Sequence, residues 1–154
     1  MLFVPFRPYA AADYIREMYQ KAFNRGLIEE VMKLFLFNAH VHILARSYYS
    51  RHRIQEIHEY FFSCGNQGRY HPEIELFSTT IEEYGTVVID RGHGIIRRQY
   101  GYPNTLIVQN DPFVYKCIEA QEVIPGIEGI QNWRIDQLVI DFVGAITLTA
   151  PYAK

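Results

Sequence analysis

Three polar side chains, Tyr19, His93 and Glu119, are the candidates for acid–base chemistry in this 154-residue chain. Histidine titrates near neutral pH, and burial or a neighbouring charge can bring a carboxyl or phenol group toward that range. The sequence has no nucleophile elbow, phosphate-binding loop, dinucleotide fingerprint or paired Cys and His of a thiol enzyme. Any catalysis is therefore expected to be proton transfer in a mostly apolar cavity, with His93 and Glu119 as the candidate catalytic residues.

A His-x-His pair, His40 and His42, has a spacing that metal sites use. The pair lies on one face of a short predicted strand, and no acidic or cysteine ligand is near it in the sequence. Two ligands do not complete a zinc shell, so we predict no metal and no cofactor. The other three histidines of the N-terminal half are interpreted as solvated or capping residues: His52, His58 and His71.

The composition predicts a soluble protein with a hydrophobic core of its own. The chain is 49% hydrophobic and 15% aromatic, and its formal net charge is -2. Nucleic acid is not an expected partner, because short basic pairs such as Arg97-Arg98 do not form a clustered basic surface. We expect no membrane segment and no signal peptide, and therefore a cytoplasmic protein. The two cysteines, Cys64 and Cys117, are expected to be reduced.

Hydrophobic periodicity predicts three helices in the first half of the chain. The first spans residues 9–24, and the second follows at once with Phe35 among its inward-facing residues. A short strand is predicted over 39–43, because apolar and polar residues alternate there. The third helix begins after Ser50, a good N-cap, and ends at Gly65.

The chain from His71 onward is dominated by β-favouring residues that are separated by turns. Four strands are predicted, over 73–83, 86–99, 105–122 and 132–143. The third is interrupted at 110–112, and Tyr84-Gly85 forms a tight turn between the first two, which are therefore antiparallel. Helices followed by strands indicate an α+β fold, and no linker divides residues 1–154 into more than one domain.

Apolar residues on both faces of the predicted sheet indicate that both faces are covered. In the strand over 86–99, Val87 lies on one face, and Val88 and Ile96 lie on the other with Gly92 and Gly94, which permit sharp bending. Strict alternation divides the last strand into two apolar sets: Trp133, Ile135, Val139 and Val143 against Leu138, Ile140 and Phe142. Helices cover one face, so we expect a homodimer through the outer face.

Three segments resemble motifs of the nuclear transport factor 2-like superfamily. Residues 19–41 resemble its opening pattern, in which a helix, a glycine-containing break and an amphipathic helix lead into a strand. Residues 86–94 resemble its Asp-x-Ala-x-x-x-Gly strand, and residues 132–136 resemble its Gly-x-Trp-Lys-Ile final strand. The order of these motifs extends the resemblance over residues 9–143. It implies a cystatin-like cone of the SnoaL-like and ketosteroid-isomerase-like branch, with three N-terminal helices packed on a curved antiparallel sheet.

The resemblance also implies roles for single residues. Tyr19 matches the tyrosine that donates a hydrogen bond to the oxyanion in ketosteroid isomerases, which also use an Asp base and a protonated Asp. Ile43 stands where the Asp base belongs, and an isoleucine cannot accept a proton. Glu119 is the only acid near the position of the second donor. We therefore expect no ketosteroid isomerase activity.

A ligand pocket is predicted from the inward helical faces together with the resemblance. Its expected lining consists of Tyr19, Phe23, Phe35, Ile43, Phe61 and His93. His93 reaches the pocket only if its strand face is the inner one, and the opposite orientation places it in a dimer interface. The sequence leaves both orientations open, and it also leaves Tyr19 open to a purely structural role.

Three functions remain as alternatives. The favoured one is a non-catalytic pocket domain that binds a small apolar molecule and dimerises through its sheet. The second is a metal-free lyase or isomerase of the cyclase–dehydratase kind, which uses His93 or Glu119 in place of the missing Asp. The third is a protein-interaction module, for which the apolar segment 2–6 is a candidate contact.

Overall fold

The computed structural model describes residues 8–63, 71–102, 105–122 and 132–144. These residues form three helices: α1 (Pro8–Asn24), α2 (Ile28–Met32) and α3 (Arg51–Phe62). The strands are β1 (Phe35–Ile43), β2 (Arg46–Tyr49), β3 (Glu73–Tyr84), β4 (Val87–Tyr102), β5 (Thr105–Gln121) and β6 (Trp133–Phe142). The predicted α+β class is confirmed. Within these described ranges, no helix has the length and apolar character needed to cross a bilayer.

One mixed sheet contains the strands in the order β2-β1-β6-β5-β4-β3. β1 runs parallel to β6, and every other neighbouring pair is antiparallel. The expectation of a purely antiparallel sheet is therefore wrong at this pair. A parallel pair needs a long crossover connection, and here α3 and four strands separate β1 from β6 in the chain.

Helix α1 packs along the edge strand β3 and satisfies part of its backbone. The Asn24 side chain donates to the Ile74 carbonyl at 3.0 Å and accepts from the Ile74 amide at 2.6 Å. Gln20 Oε1 accepts from the Leu76 amide at 2.9 Å. These bonds protect an edge that would otherwise be open to pairing with another strand. They also fix the rotation of α1, so that Tyr19 faces the sheet.

The second helix is shorter than predicted. It ends at Met32, and Phe35, which was expected within the helix, is the first residue of β1. The guanidinium of Arg51 donates to the carbonyl oxygens of Met32 and Phe35, at 3.0 and 3.1 Å. A helix end leaves its last carbonyls without intrahelical donors, so this arginine stabilises the early break.

An unpredicted hairpin joins β1 to β2. Leu44 and Ala45 form its turn with φ values of 56° and 60°, in the left-handed region that non-glycine residues rarely adopt. The usual Asn or Gly signal is missing from this turn, so the sequence pattern did not reveal it. Ser50 then caps α3 as predicted, and its Oγ accepts from the Arg53 amide at 3.4 Å.

The β3–β4 hairpin turns at Gly85, with φ of 65°, as predicted. Further along β4, two glycines lie on the inner face where no side chain fits. A Cβ atom on Gly92 would lie 2.0 Å from the Phe77 carbonyl oxygen, and one on Gly94 would lie 2.5 Å from a ring carbon of Phe113. These positions allow the close approach that a strongly curved sheet requires.

Strand β5 continues without a break through residues 110–112, where an interruption was predicted. The Asp111 side chain points into the core and forms an ion pair with Arg98, with an N–O distance of 2.7 Å. Both side chains are almost completely buried. A buried charge is tolerated when an opposite charge pairs with it, so the polar residues here do not end the strand.

A bulge in β6 changes which of its side chains face the helices. β5 pairs Ile118 with Gln137 but Glu119 with Ile135, so Asp136 is the extra residue on β6. Four apolar residues on the two sides of the bulge are buried together: Trp133, Ile135, Leu138 and Ile140. The predicted strict alternation, which placed the first two opposite the last two, is therefore wrong.

Candidate functional site

Two small cavities, lined mostly by buried residues, lie between the helices and the inner face of the sheet. Each has a volume of ≈ 20 Å³, which is enough for about one water molecule. The apolar cavity is lined by Tyr19, Phe23, Val41, Ile43, Ile57, His58, Phe61, Ile74, Ile96, Leu138 and Ile140. The acidic cavity is lined by Ile15, Arg16, Tyr19, Leu76, Asp90, Tyr115, Cys117, Glu119, Ile135 and Leu138. Tyr19 and Leu138 line both cavities and form the wall between them.

The apolar cavity contains one polar pair, formed by Tyr19 of α1 and His58 of α3. The Tyr19 hydroxyl and His58 Nε2 are 2.7 Å apart, and His58 Nδ1 is 2.8 Å from the Ile54 carbonyl oxygen of the preceding helical turn. Burial lowers the pKa of His58 to about 4 and raises the pKa of Tyr19. Both side chains are therefore neutral near pH 7.

Asp90 of β4 is the most extensively bonded side chain of the acidic cavity. Its carboxylate forms an ion pair with Arg16 at 2.7 Å and accepts a short hydrogen bond from the Ser78 hydroxyl. The Tyr115 hydroxyl adds longer contacts of 3.3 and 3.4 Å to its two oxygens. Arg16 also contacts Asp13 on the surface, so it connects the cavity to solvent.

Glu119 of β5 contrasts with Asp90. Its side chain is completely buried, and neither carboxyl oxygen has a partner in good hydrogen-bond geometry among the described residues; the neighbouring donor is the weak thiol of Cys117. Burial and then the charge of Asp90 raise the pKa of Glu119 to about 8, against the opposing effects of Cys117 and Arg16. Glu119 is therefore a neutral carboxylic acid at pH 7. Burial also raises the pKa of the Cys117 thiol, which makes it a poor nucleophile.

Four of the six residues predicted for the pocket line the apolar cavity: Tyr19, Phe23, Ile43 and Phe61. Phe35 is outside that lining and packs behind it, with its ring centre 6.2 Å from Tyr19 and 5.7 Å from His58. Glu119 faces the neighbouring acidic cavity. Ile43, to which the sequence resemblance assigned the position of the Asp base, does face the same interior space as Tyr19.

His93 requires a correction, because it does not line either cavity. It is exposed on the outer face of β4, where its ring stacks on Phe77 at 5.3 Å. The inner face of the strand carries Val88, Asp90 and Ile96, all of which are buried. A side chain on the opposite face cannot reach the interior, so His93 cannot act in either cavity as a base.

The structure identifies two interior residues that sequence reasoning missed. His58 was interpreted as solvated or capping, and it is buried in the apolar cavity with 4% exposure. Its helical spacing from Ile54 and Phe61, four and three residues away, was the available signal. Asp90 has 1% exposure and shares a strand face with Val88 and Gly92. An acid on a face of that kind is a candidate interior group.

The remaining histidines are separate from the cavities. His40 contacts Gln137 at 2.8 Å and stacks on Tyr49, while His42 contacts Ser47 at 3.1 Å. His71 Nε2 bonds the Phe23 carbonyl at 2.6 Å and so caps the end of α1. No cluster of three or more potential metal ligands occurs in the part of the chain that the structure describes.

A surface groove adjoins the apolar cavity between β2 and α3. It has a volume of ≈ 420 Å³ and is lined by Leu44, Arg46, Tyr48, Glu56, Ile57 and Tyr60. Ile57 lines both the groove and the apolar cavity. This side chain therefore lies between the groove and the interior.

Comparison with solved structures finds many similar folds at low sequence identity. An NTF-2-like protein of unknown function from Shewanella oneidensis has a TM-score of 0.64 and 11% identity, over 87% of this chain and 98% of that one. A ketosteroid isomerase-like protein from Erwinia carotovora atroseptica has a TM-score of 0.65 and 11% identity, over 88% and 96%. The CaMKII hub of S. rosetta has a TM-score of 0.66 and 8% identity, over 93% and 100%.

No protein-family model matches the sequence, and no curated protein is similar to it. The structural likeness is therefore the informative comparison, and at this level of identity it concerns the fold. Helices followed by a curved six-stranded sheet agree with the resemblance drawn from the three sequence motifs. The chain has the nuclear transport factor 2-like fold.

Proposed function

We propose that this protein binds a small, mostly apolar molecule in the apolar cavity. The observation that carries the proposal is the composition of the lining, in which nine hydrocarbon side chains surround the single Tyr19–His58 pair. Ligand sites of this kind combine an apolar wall with a few polar groups that orient the ligand. The proposal is the non-catalytic pocket domain that the sequence favoured.

Binding requires the cavity to expand, because its volume of ≈ 20 Å³ holds only a water-sized molecule. The surface groove supplies an approach, since rotation of the Ile57 side chain joins the two spaces. Phe61, one helical turn further along α3, lines the same cavity and can rotate with it. A ligand that enters by this route has its apolar part inside and any polar part toward Arg46 and Glu56.

Cyclopentane is a suitable probe, because it is small and has no polar group. We expect it to shift the NMR signals of the Ile43 and Ile57 methyl groups and to raise the unfolding temperature as its concentration increases. An Ile57→Trp variant should block these effects, whereas Val114→Trp, which adds the same side chain on the exposed outer face, should not. If the lining methyl signals do not change in the wild type, the proposal is wrong.

Acid–base catalysis is the second candidate function, and one specific observation favours it. The acidic cavity combines Glu119, a neutral acid that can donate a proton, with the Asp90 carboxylate. A pair of carboxyl groups in different surroundings is a recurring arrangement in proton-transfer enzymes. In this proposal the catalytic residues are Asp90 and Glu119. Glu119 was already a candidate from the sequence, and Asp90 replaces His93.

Proton transfer is testable without knowledge of the substrate. We expect the protein to catalyse the exchange of the acidic C–H protons of 2-tetralone for deuterium in heavy water, as followed by NMR. Asp90→Asn should abolish the catalysis, and His93→Gln on the outer face should leave it unchanged. An exchange rate equal to that of the buffer would exclude this activity for ketones of this kind.

A homodimer through the outer sheet face is a separate proposal, supported by exposed apolar side chains on β3 and β5. Phe77, Val108 and Val114 are 46%, 51% and 49% exposed. Burial of such residues favours association. Sedimentation should give twice the monomer mass for the wild type and the monomer mass for Val114→Asp. The apolar segment 2–6, the other predicted contact, lies outside the described residues.

A further inference from the structure

The protonation of the His58 ring follows from its two contacts. His58 Nδ1 lies 2.8 Å from the carbonyl oxygen of Ile54, and a carbonyl oxygen can only accept a hydrogen bond. Nδ1 must therefore carry the ring proton. A neutral imidazole has one N–H group, so Nε2 carries a lone pair and no hydrogen. The 4% exposure of this residue favours the neutral ring.

The direction of the Tyr19 hydrogen bond follows in turn. The Tyr19 oxygen is 2.7 Å from His58 Nε2, and only the phenol has a proton to donate in this contact. The single hydroxyl proton of Tyr19 is therefore committed to His58. The hydroxyl oxygen retains a lone pair for a further partner. Toward the apolar cavity, Tyr19 can accept a hydrogen bond but cannot donate one.

The rest of the lining offers no substitute donor. Apart from Tyr19 and His58, every side chain of the apolar cavity is hydrocarbon. Both ring nitrogens of His58 are already engaged, one with Ile54 and the other with Tyr19. The lining side chains of the apolar cavity therefore present one hydrogen-bond acceptor, the Tyr19 oxygen, and no hydrogen-bond donor.

We infer that the apolar cavity selects molecules that carry a hydrogen-bond donor, such as an alcohol or an amine, over ketones of the same shape. This inference rests on the proposed binding function and names the ligand class of that same cavity. A ligand hydroxyl that donates to Tyr19 adds the third hydrogen bond to a chain that runs through His58 to the Ile54 carbonyl, and the bonds of such a chain strengthen one another. A ketone oxygen is itself only an acceptor, so it would face the Tyr19 lone pair without forming a hydrogen bond.

This polarity is the reverse of the role that the sequence resemblance implied for Tyr19. In that role the tyrosine donates a hydrogen bond to a substrate oxygen, which requires its proton to be free. Here Tyr19 already donates that proton to His58, so it cannot donate to a ligand while the histidine is neutral. His58 thus acts as a positioning residue, because its contact with Tyr19 determines whether Tyr19 is a donor or an acceptor toward a ligand.

Three probes with the same ring separate the possibilities: cyclopentanol, cyclopentanone and cyclopentane. Affinities are measured by NMR titration of the lining methyl groups of the wild-type protein. We expect cyclopentanol to bind about tenfold more tightly than cyclopentane, the effect of about one hydrogen bond. Cyclopentanone should bind no more tightly than cyclopentane. A preference for the ketone over the hydrocarbon would overturn the inference.

A His58→Phe variant tests the cause of the selectivity, because it frees the Tyr19 proton. In this variant cyclopentanone should gain about tenfold relative to cyclopentane, again the effect of about one hydrogen bond. His93→Phe is the matched control, since it makes the same substitution on the exposed outer face, away from both cavities, and it should keep the wild-type order. An unchanged order in His58→Phe would mean that His58 does not control the donor.

Nitrogen NMR of the wild-type protein provides a readout that does not depend on any ligand or variant. We expect the Nε2 resonance of His58 at the position of an unprotonated ring nitrogen, with the proton on Nδ1. A proton on Nε2 overturns the inference even if every probe binds. If no probe binds, the proposed binding function and the ligand class fail together. If the probes bind and the ketone is preferred, only the ligand class fails.

Discussion

The apolar and the acidic cavity have the same volume and share a wall, but they bury ionisable groups of opposite kinds. The apolar cavity encloses a base, His58, whose pKa falls to about 4, and the acidic cavity encloses an acid, Glu119, whose pKa rises to about 8. Burial has one cause in both cases, since it disfavours whichever form is charged. Both groups are neutral at pH 7, and they acquire charge in opposite directions of pH.

The two buried carboxyl groups of the acidic cavity differ in their hydrogen-bond and ion-pair partners. Asp90 lies beside Glu119 in the acidic cavity, yet it forms an ion pair with Arg16 and accepts from two hydroxyl groups. Glu119 has no such bonds. Ionisation of a buried carboxyl group is favoured by a nearby cation and by donors, and disfavoured without them. The acidic cavity therefore contains one carboxyl group with an ion-pair partner, Asp90, and one neutral acid, Glu119.

The largest expected effect comes from Glu119→Gln. The folded-state pKa of about 8 lies above the ordinary value of 4.5, so Glu119 contributes stability below pH 4.5 that is lost as pH rises to about 8. At about 1.4 kcal/mol per pH unit, the loss is about 5 kcal/mol. Urea unfolding at pH 5 and pH 8 should show most of this loss, about 3.5 kcal/mol, in the wild type and not in the variant. Glu75→Gln, on the exposed side of β3, should behave like the wild type.

Asp90→Ala comes next, because it leaves Arg16 without its buried partner. We expect the free energy of unfolding to fall by about 3 kcal/mol, the usual cost when one member of a buried ion pair is removed. Asp13→Ala is the matched control, since Asp13 pairs with the same arginine but is exposed, and it should cost less than about 0.5 kcal/mol. Equal costs in chemical denaturation would contradict the distinction between the two partners.

The base of the apolar cavity should respond to acid in the opposite sense. The folded-state pKa of His58, about 4, lies below the ordinary value of 6.5, so its contribution is present above pH 6.5 and is lost as pH falls to about 4. The loss amounts to about 3 kcal/mol. His58→Phe should remove it, as read from thermal unfolding at pH 4.5 and pH 7. A variant with the wild-type acid sensitivity would show that His58 is not the group responsible.

The smallest of these changes in the free energy of unfolding is expected for Tyr19, which lies in the wall between the two cavities. Tyr19→Phe leaves the buried lone pair of His58 Nε2 without a donor, and we expect a cost of about 2 kcal/mol. Tyr115→Phe should cost about 0.5 kcal/mol, because its contacts to Asp90 are 3.3 Å or longer and Asp90 keeps two other partners. Urea unfolding of both variants provides the comparison, and a larger cost for Tyr115→Phe would reverse it.

The sequence predicted the order of elements better than their ends. Helical and strand periodicity located α1, α3 and the four long strands, because the hydrophobic period of a long segment distinguishes a helix from a strand. The break after Met32 depends on Arg51, which donates to two carbonyls from a distant helix. The β1–β2 turn depends on Leu44 and Ala45 in a conformation that their side chains disfavour. Such tertiary contacts and strained residues leave no periodic signal.

The site was predictable where the face of an element was unambiguous. Tyr19 and Phe23 follow from the single apolar stripe of α1, and both line the apolar cavity. β4 is apolar on both faces, so its pattern could not show whether His93 or Asp90 points inward. The packing of α1 against the sheet settles this, and that contact joins segments far apart in the chain. The Tyr19–His58 contact is likewise between two helices, so its recognition needed the structure.

The bulge at Asp136 has a consequence for how the interior of this sheet is specified. Because β-strand side chains alternate between faces, one additional residue moves every side chain that follows it to the opposite face of the sheet. Deletion of that one residue would turn Leu138 and Ile140 toward solvent, and with them part of the walls of both cavities. The shape of the interior thus depends on the number of residues in β6 as much as on how hydrophobic they are.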